Sequence, residues 1–267
     1  MTTTENRPLA VVTGASSGIG YELAKQFAGN GFDLLITAED ERLDRAAAVL
    51  DSASGARVIT VKADLRTAEG VETLYEAVQA TGRPVAAAAL NAGVGRGGAF
   101  VDTDLDHERE IIDVNITSTV HLAKRLLRDM TARDEGRVLI TSSIASTMPG
   151  TFQAVYNASK SFLQSFAEAL QNELKDTGVT ITSLMPGPTE TDFFRRADME
   201  DTRVGASPKD DPAQVAEQGF HALMKGEAKL VAGSLTTKAS GLANDVLPDA
   251  AKAQAHRLMA EPGSADK

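Results

Sequence analysis

Cysteine is absent from the 267-residue chain, which excludes disulfides, zinc–thiolate sites and cysteine nucleophiles. No apolar run approaches the roughly 20 residues a membrane-spanning helix needs. The longest, such as Val85–Leu90, are the size of a strand. Positive charge is scarce: 27 Lys and Arg face 37 Asp and Glu, a net charge of −10, and a field of that sign repels phosphate backbones. Neither nucleic acid nor a membrane is an expected partner. The stretch from Met1 to Arg7 lacks the apolar segment of a secretory signal. With 42 % hydrophobic and 24 % charged residues, the chain is too apolar for disorder and too charged for a membrane bundle. The expectation is a soluble, cytoplasmic protein.

What is present is an alternation. Leu9–Thr13 is short, apolar and bounded by Pro8 and Gly14, the mark of a buried strand. A helix through Tyr21–Phe27 follows and stops at Gly29-Asn30-Gly31. Further strands are predicted at Asp33–Thr37, Arg57–Lys62, Val85–Leu90, Arg137–Thr141, Val179–Leu184 and Lys229–Ala232. Between them lie apolar residues at helical spacing: Leu43 to Leu50, Val71 to Val78, then Ile112, Ile116, Val120, Ala123, Leu127 and Met130 on one face, Phe162 to Leu174, and Val215 to Met224. Strand–helix alternation of this length predicts an α/β fold: one Rossmann-like, doubly wound parallel sheet of about seven strands with helices on both faces. No linker or repeat divides the chain, so residues 1–267 read as a single domain. Flexible ends are expected at 1–7 and from about 260 to 267. Residues 192–209, long and charged, read as a substrate lid loop.

The first strand runs into Thr13-Gly14-Ala15-Ser16-Ser17-Gly18-Ile19-Gly20. Glycines at a strand-to-helix turn let the backbone approach a ligand, and the helix N-terminus offers free N–H groups and a positive dipole end, a seat for a pyrophosphate. The spacing is G-x-x-x-G-x-G rather than the commoner G-x-G-x-x-G. With Thr13 it resembles the classical short-chain dehydrogenase/reductase family, and the resemblance extends over roughly Leu9 to Ala232. It implies that Gly14, Ser16, Ser17, Gly18, Ile19 and Gly20 bind a dinucleotide, with Asp64 and Leu65 against the adenine. It also implies cofactor contacts from Asn91, Ala92 and Gly93, although Leu90 departs from the family's N-N-A-G. Pro186, Gly187, Thr189 and Thr191 resemble the family's P-G motif, which holds the carboxamide and phosphates. Asp64 also reads as a helix N-cap, and Asn91-Ala92-Gly93 as an ordinary turn. At the end of the second strand Glu39 stands where NADP users of the family often carry Arg. A carboxylate there accepts hydrogen bonds from ribose hydroxyls and repels a 2′-phosphate, so NAD is favoured over NADP. Against this, the acid of NAD users more often sits one position earlier, at Ala38. Glu39 also reads as a helix cap, and Arg42 is close enough in sequence to lean toward a phosphate.

The fifth strand ends in Thr141-Ser142-Ser143, and thirteen residues on come Tyr156 and Lys160. At i and i+4 on a helix the phenol and the ammonium share a face. A nearby cation favours phenolate and would lower the phenol toward the working range. The resemblance implies a catalytic set of Asn115, Ser143, Tyr156 and Lys160, with Lys160 also bonding the nicotinamide ribose. Ser142, on the opposite face of the strand, is passed over by the spacing. Asn115 sits mid-helix, a poor place for asparagine; it reads also as a buried side chain bonded to backbone. No metal site is expected. The implied reaction is hydride transfer between nicotinamide and a carbonyl or secondary alcohol, with Tyr156 as acid/base. Two alternatives stand beside it: an NADPH-dependent 3-oxoacyl carrier-protein reductase, using Arg195, Arg196 and Arg203 for an anionic carrier arm, and a non-catalytic dinucleotide-binding sensor or scaffold. The expected partners are a small-molecule substrate and a second copy, in a homodimer or homotetramer. Leu235, Leu242, Val246 and Leu247 form a weak pattern that reads as interface, pocket cover or packed helix.

Overall fold

In the computed structural model, which describes residues 7–265, the strands β1 (Leu9–Thr13), β2 (Asp33–Ala38), β3 (Val58–Lys62), β4 (Val85–Leu90), β5 (Gly136–Thr141), β6 (Val179–Pro186) and β7 (Lys229–Ala232) join in one sheet. Every pairing is parallel and the order is β3-β2-β1-β4-β5-β6-β7. The chain reverses its direction of travel across the sheet between β1 and β4. At such a switch point the carboxyl ends of the strands open a crevice that no crossover helix covers. Thr13 and Asn91 stand at its mouth.

Both faces of the sheet are buried because alternate side chains serve two cores. Ala10, Val12, Leu34 and Ile36 pack under α1 (Gly18–Gly29), α2 (Arg42–Ser54) and α9 (Pro212–Lys225), where Phe27, Phe32 and Phe220 meet edge to face. Leu9, Val11, Leu35 and Val61 pack with α3 (Ala68–Ala80), α5 (Ser118–Arg133) and α6 (Ala154–Glu173) on the other face. The alanine run of β4 has weak strand propensity, yet its small side chains let helices on both sides approach the central sheet. Helix starts follow their caps: Thr67 accepts from Gly70 N, and Asp211, followed by Pro212, accepts from Ala213 N.

Several expectations are corrected. The long helix predicted through Ile112–Met130 is α4 (Leu105–Ile111), a π-helical turn (Ile112–Thr117) and α5. The wider turn shifts the helix phase, so Ile112 is 42 % exposed while Val114 and Asn115 turn inward. On α6 the buried stripe is Leu163 and Ala167, and Phe162 is left 42 % exposed, stacked on Phe166. The lid expected as a loop carries α7 (Phe193–Arg196) and α8 (Arg203–Ala206) around a third small core of Phe194, Ala197, Met199 and Ala260. After β7 come α10 (Leu235–Val246) and α11 (Asp249–Ala260). Leu235 and Leu247 are exposed, and the side chains of Leu242 and Val246 lie outside the described residues. The tail is tied down as far as it is described: Arg203 N donates to Ser264 Oγ at 3.0 Å and Ala265 N to Asp201 O at 2.9 Å. Arg7 is likewise anchored, to the carbonyls of Gly55 and Ala28. Residues 1–6, 266 and 267 of the expected loose ends lie outside the described residues. Among the described residues no helix is long and apolar enough to cross a membrane.

Candidate active site

The turn after β1 is built to leave backbone bare. Gly14 and Gly18 hold φ of +67° and +58°, conformations that side chains disfavour. A Cβ on Gly20 would overlap the carbonyl oxygen of Gly14 and fall 2.6 Å from Asn91 Nδ2. Ser17 stands at the N-cap of α1 in extended conformation with no side-chain cap bond, so the first N–H groups of a twelve-residue helix are left for a ligand. Ile19 is turned down onto the core. This cradle suits the pyrophosphate of a dinucleotide.

Thr13 and Asn91 lock the crevice. Thr13 Oγ1 accepts from Asn91 N and Ala92 N, both at 2.9 Å, and Asn91 Oδ1 accepts from Thr141 Oγ1 at 3.1 Å. Three strand ends are thus pinned by three side chains. The spacing singled out Thr13 and Asn91; Thr141 went unnoticed, although its place at a strand end beside Ser142 and Ser143 was a signal.

At the far end an open cleft of about 520 Å³ is lined by Glu39, Asp40, Lys62, Ala63, Asp64 and Arg66. Asp64 does not cap α3, which Thr67 does; it grips Arg66, taking Arg66 N and Nε at 2.9 Å, and the guanidinium holds its carboxyl below the usual range. Leu65 is turned into the second core. Glu39 is half-exposed and reaches Arg66 at 3.6 Å. The acid that faces the glycine turn is its neighbour Asp40, which the sequence reading missed: Ser16 Oγ donates to Asp40 Oδ2 at 2.9 Å, and the adjoining Arg42 draws this carboxyl down to about 2. Arg42 itself is bound by Asp40 and, at 2.6 Å, by Asp192.

The other expected group gathers at the ends of β4, β5 and β6. Asn115 is fully buried in the π-helical turn, a common device for turning a side chain inward. Its Oδ1 accepts from Val94 N at 2.8 Å, and its Nδ2 donates to Val94 O at 3.0 Å and Ser159 Oγ at 2.9 Å. It thereby holds the segment after β4. A Cβ on Gly93 would lie 3.3 Å from both Asn115 Oδ1 and Lys160 Nζ, so this glycine lets carboxamide and amine come near each other. Ser143 Oγ donates to Pro186 O at 3.3 Å and accepts from Ala145 N at 3.1 Å, near enough to the Tyr156 phenol to favour its charged form, whereas Ser142 Oγ is spent on the carbonyl of Lys160 at 3.0 Å. Lys160 is 4 % exposed; its Nζ donates to Thr141 O at 3.0 Å and lies 5.8 Å from the centre of the Tyr156 ring.

The electrostatics differ from the expectation. Burial pushes the phenol of Tyr156 up to about 12, against the opposing pull of the nearby Ser143 hydroxyl, and brings the amine of Lys160 down to about 8. Loss of water penalises phenolate and ammonium alike, and the amine is aimed at a backbone carbonyl rather than at the phenol oxygen. The resting phenol is therefore protonated. Beyond it, Thr189 is buried and donates to Gly187 O at 2.9 Å; the Thr191 methyl lies against Gly18, and Thr191 Oγ1 accepts from Phe193 N at 3.2 Å. A Cβ on Gly187 would strike Thr237 of α10, so the last helices seat the motif after β6. Among the described residues no group of three or more His, Cys, Asp or Glu could hold a metal ion.

This geometry has close parallels. A family model described as short chain dehydrogenase matches residues 8–201. The 3-oxoacyl-[acyl-carrier-protein] reductase of Escherichia coli is 30 % identical over 197 residues, which span 74 % of this chain and 79 % of that protein. A short chain dehydrogenase/reductase from Burkholderia phymatum, solved in complex with NAD, superposes with a TM-score of 0.81 at 26 % identity, covering 91 % of this chain and 92 % of its own. A short-chain dehydrogenase from Sphingobium yanoikuyae, solved in complex with NADPH, superposes with a TM-score of 0.78 at 25 % identity, covering 89 % and 93 %.

Proposed function

The chain belongs to the classical short-chain dehydrogenase/reductase family and is an oxidoreductase, and on that premise we propose that it interconverts ketones and secondary alcohols with NAD as cofactor. The observation that carries this reading is the meeting of Tyr156, Ser143 and Lys160 at the crevice beside an uncapped helix N-terminus. Bound there, the nicotinamide supplies or takes up the hydride. Tyr156 moves the proton: a phenol that rests protonated is poised to donate to an oxygen that gains charge, the direction of ketone reduction. Ser143, whose hydroxyl stands beside that phenol, steadies the same oxygen. Lys160 holds its amine beside the phenol ring, and Asn115 fixes the wall opposite.

The charge of the cleft supports NAD over NADP. Glu39, Asp40 and Asp64 line it, and the nearby guanidinium groups are already spoken for, Arg66 by Asp64, Glu39 and Glu110, Arg42 by Asp40 and Asp192, and Arg196 by Asp40. A 2′-phosphate would have to break those pairs. The resemblance to a 3-oxoacyl reductase favours a second reading, but the arginines it needs are engaged: Arg195 pairs with Asp192, Arg196 with Asp40, and Arg203 bonds Ser264. Exposed Ile112 and Phe162 support pairing of two copies through the helices that bear them, which size-exclusion chromatography checks. We place the reaction in the cytoplasm, where the cofactor is recycled.

The decisive experiment assays a panel of ketones, secondary alcohols and acetoacetyl-CoA with NADH, NADPH and their oxidised forms. Turnover with NADH and simple ketones is expected. Tyr156→Phe is expected to lower it by about 10²–10⁴-fold while NADH binding, followed by the nucleotide's fluorescence, stays within about twofold. Binding without turnover across the panel would favour the sensor reading. A clear NADPH preference, or selective use of acetoacetyl-CoA, would favour the second.

A further inference from the structure

The ring of Phe193, at the start of α7, lies on the ring of Tyr156 with centroids 5.1 Å apart and planes tilted by 49°. The ring also meets the segment after β4: a Cβ on Gly95 would fall 2.5 Å from Phe193 Cζ and 3.2 Å from Tyr156 Cδ2. Gly95, Phe193 and the Tyr156 ring thus meet at one corner, where Phe193 forms a wedge beside the phenol ring. Phe194 backs it edge-on at 5.4 Å, itself 8 % exposed in the third core.

The wedge is clamped on both flanks. Toward the cofactor cleft, Asp192 takes Arg42 at 2.6 Å and Arg195 at 3.2 Å, and Arg196 reaches Asp40 at 3.5 Å. Toward the substrate side, Gly97 N donates to Ala197 O at 2.8 Å and Arg96 pairs with Asp198 at 2.6 Å. A ring held by contacts on either side yields to a bulky neighbour only if they are broken.

A carbonyl whose oxygen reaches both Tyr156 and Ser143 must lay one of its two substituents along this wedge. We infer that Phe193 sets the substrate's size limit, admitting carbonyl compounds with one small flank, such as methyl ketones, and refusing those with bulk on both sides. The inference rests on the proposed role of Tyr156 and names the substrate class of that same site. Gly95 belongs to the device, since any larger residue there would displace the ring.

The test compares wild type, Phe193→Ala and Phe193→Leu on acetophenone and benzophenone under saturating NADH. Thermal melting verifies folding, and NADH fluorescence gives the Kd. Phe193→Ala is expected to raise the benzophenone-to-acetophenone ratio of kcat/KM by about tenfold or more, and Phe193→Leu by about threefold, the scale a few methylenes command in an apolar pocket. Kd for NADH should stay within about twofold. If Phe193→Ala does not fold, the leucine variant decides. An unchanged ratio, or a wild type that takes benzophenone as readily as acetophenone, overturns the inference and leaves the ketone-reduction reading standing. Absence of turnover on the whole panel overturns that reading instead.

Discussion

Replacing Lys160 by methionine should make the ligand-free protein more stable at neutral pH. The amine is 4 % exposed, and burial brings its pKa from 10.5 to about 8. An amine with a depressed pKa costs the native state most below that pKa, where the unfolded chain holds the proton at no penalty; the cost disappears as pH rises past 10.5. A displacement of that size corresponds to about 3 kcal/mol at pH 7 and about 1.4 kcal/mol at pH 9.5. Methionine keeps the volume and abolishes the charge, but it leaves Thr141 O without the donor that Lys160 Nζ supplies, at about 1 kcal/mol. The net expectation for Lys160→Met is a gain of about 2 kcal/mol at pH 7, a rise of about 4–8 °C in Tm for a chain of this size, shrinking to nearly nothing by pH 9.5. Urea unfolding of both proteins between pH 6.5 and 9.5 measures the difference. A stability difference independent of pH, or a variant less stable than wild type at pH 7, would refute the reasoning that burial dominates this amine.

Three further substitutions probe the scaffold. Asn115→Ala removes three hydrogen bonds and strands both the N–H and the C=O of Val94, so a loss of about 2–4 kcal/mol is expected by urea unfolding; a loss under about 1 kcal/mol would mean that water replaces the carboxamide easily. Gly20→Ala drives a methyl into the Gly14 carbonyl, a backbone neighbour that cannot step aside, and should cost about 1–3 kcal/mol and weaken NADH binding at least tenfold. Gly29→Ala, on the same helix with open space around it, should be neutral or stabilise by up to about 1 kcal/mol, and equal effects at both positions would contradict the packing argument.

How much of this could be read from the sequence depends on whether a feature is local. The strands announced themselves because each is a short apolar run between breakers, and β4 was found at its exact bounds, Val85–Leu90. The glycine turn was legible because its constraint, backbone too close for a Cβ, acts within eight residues. The π-helical turn was not, since a wider turn leaves the composition untouched and only shifts phase; the inward residue is an asparagine, which a search for apolar stripes passes over. Charge partners were the least legible. Glu39 and Asp40 are adjacent in sequence, and only the long-range approach of Ser16 and Asp192 makes Asp40 and Arg42 the centre of the cleft's network. The same limit governs the site's proton. Spacing of i and i+4 places phenol and amine on one face, but it cannot say where the amine points or how dry the pocket is. Here the amine turns to Thr141, and dryness outweighs attraction. A site so arranged starts with its proton on Tyr156.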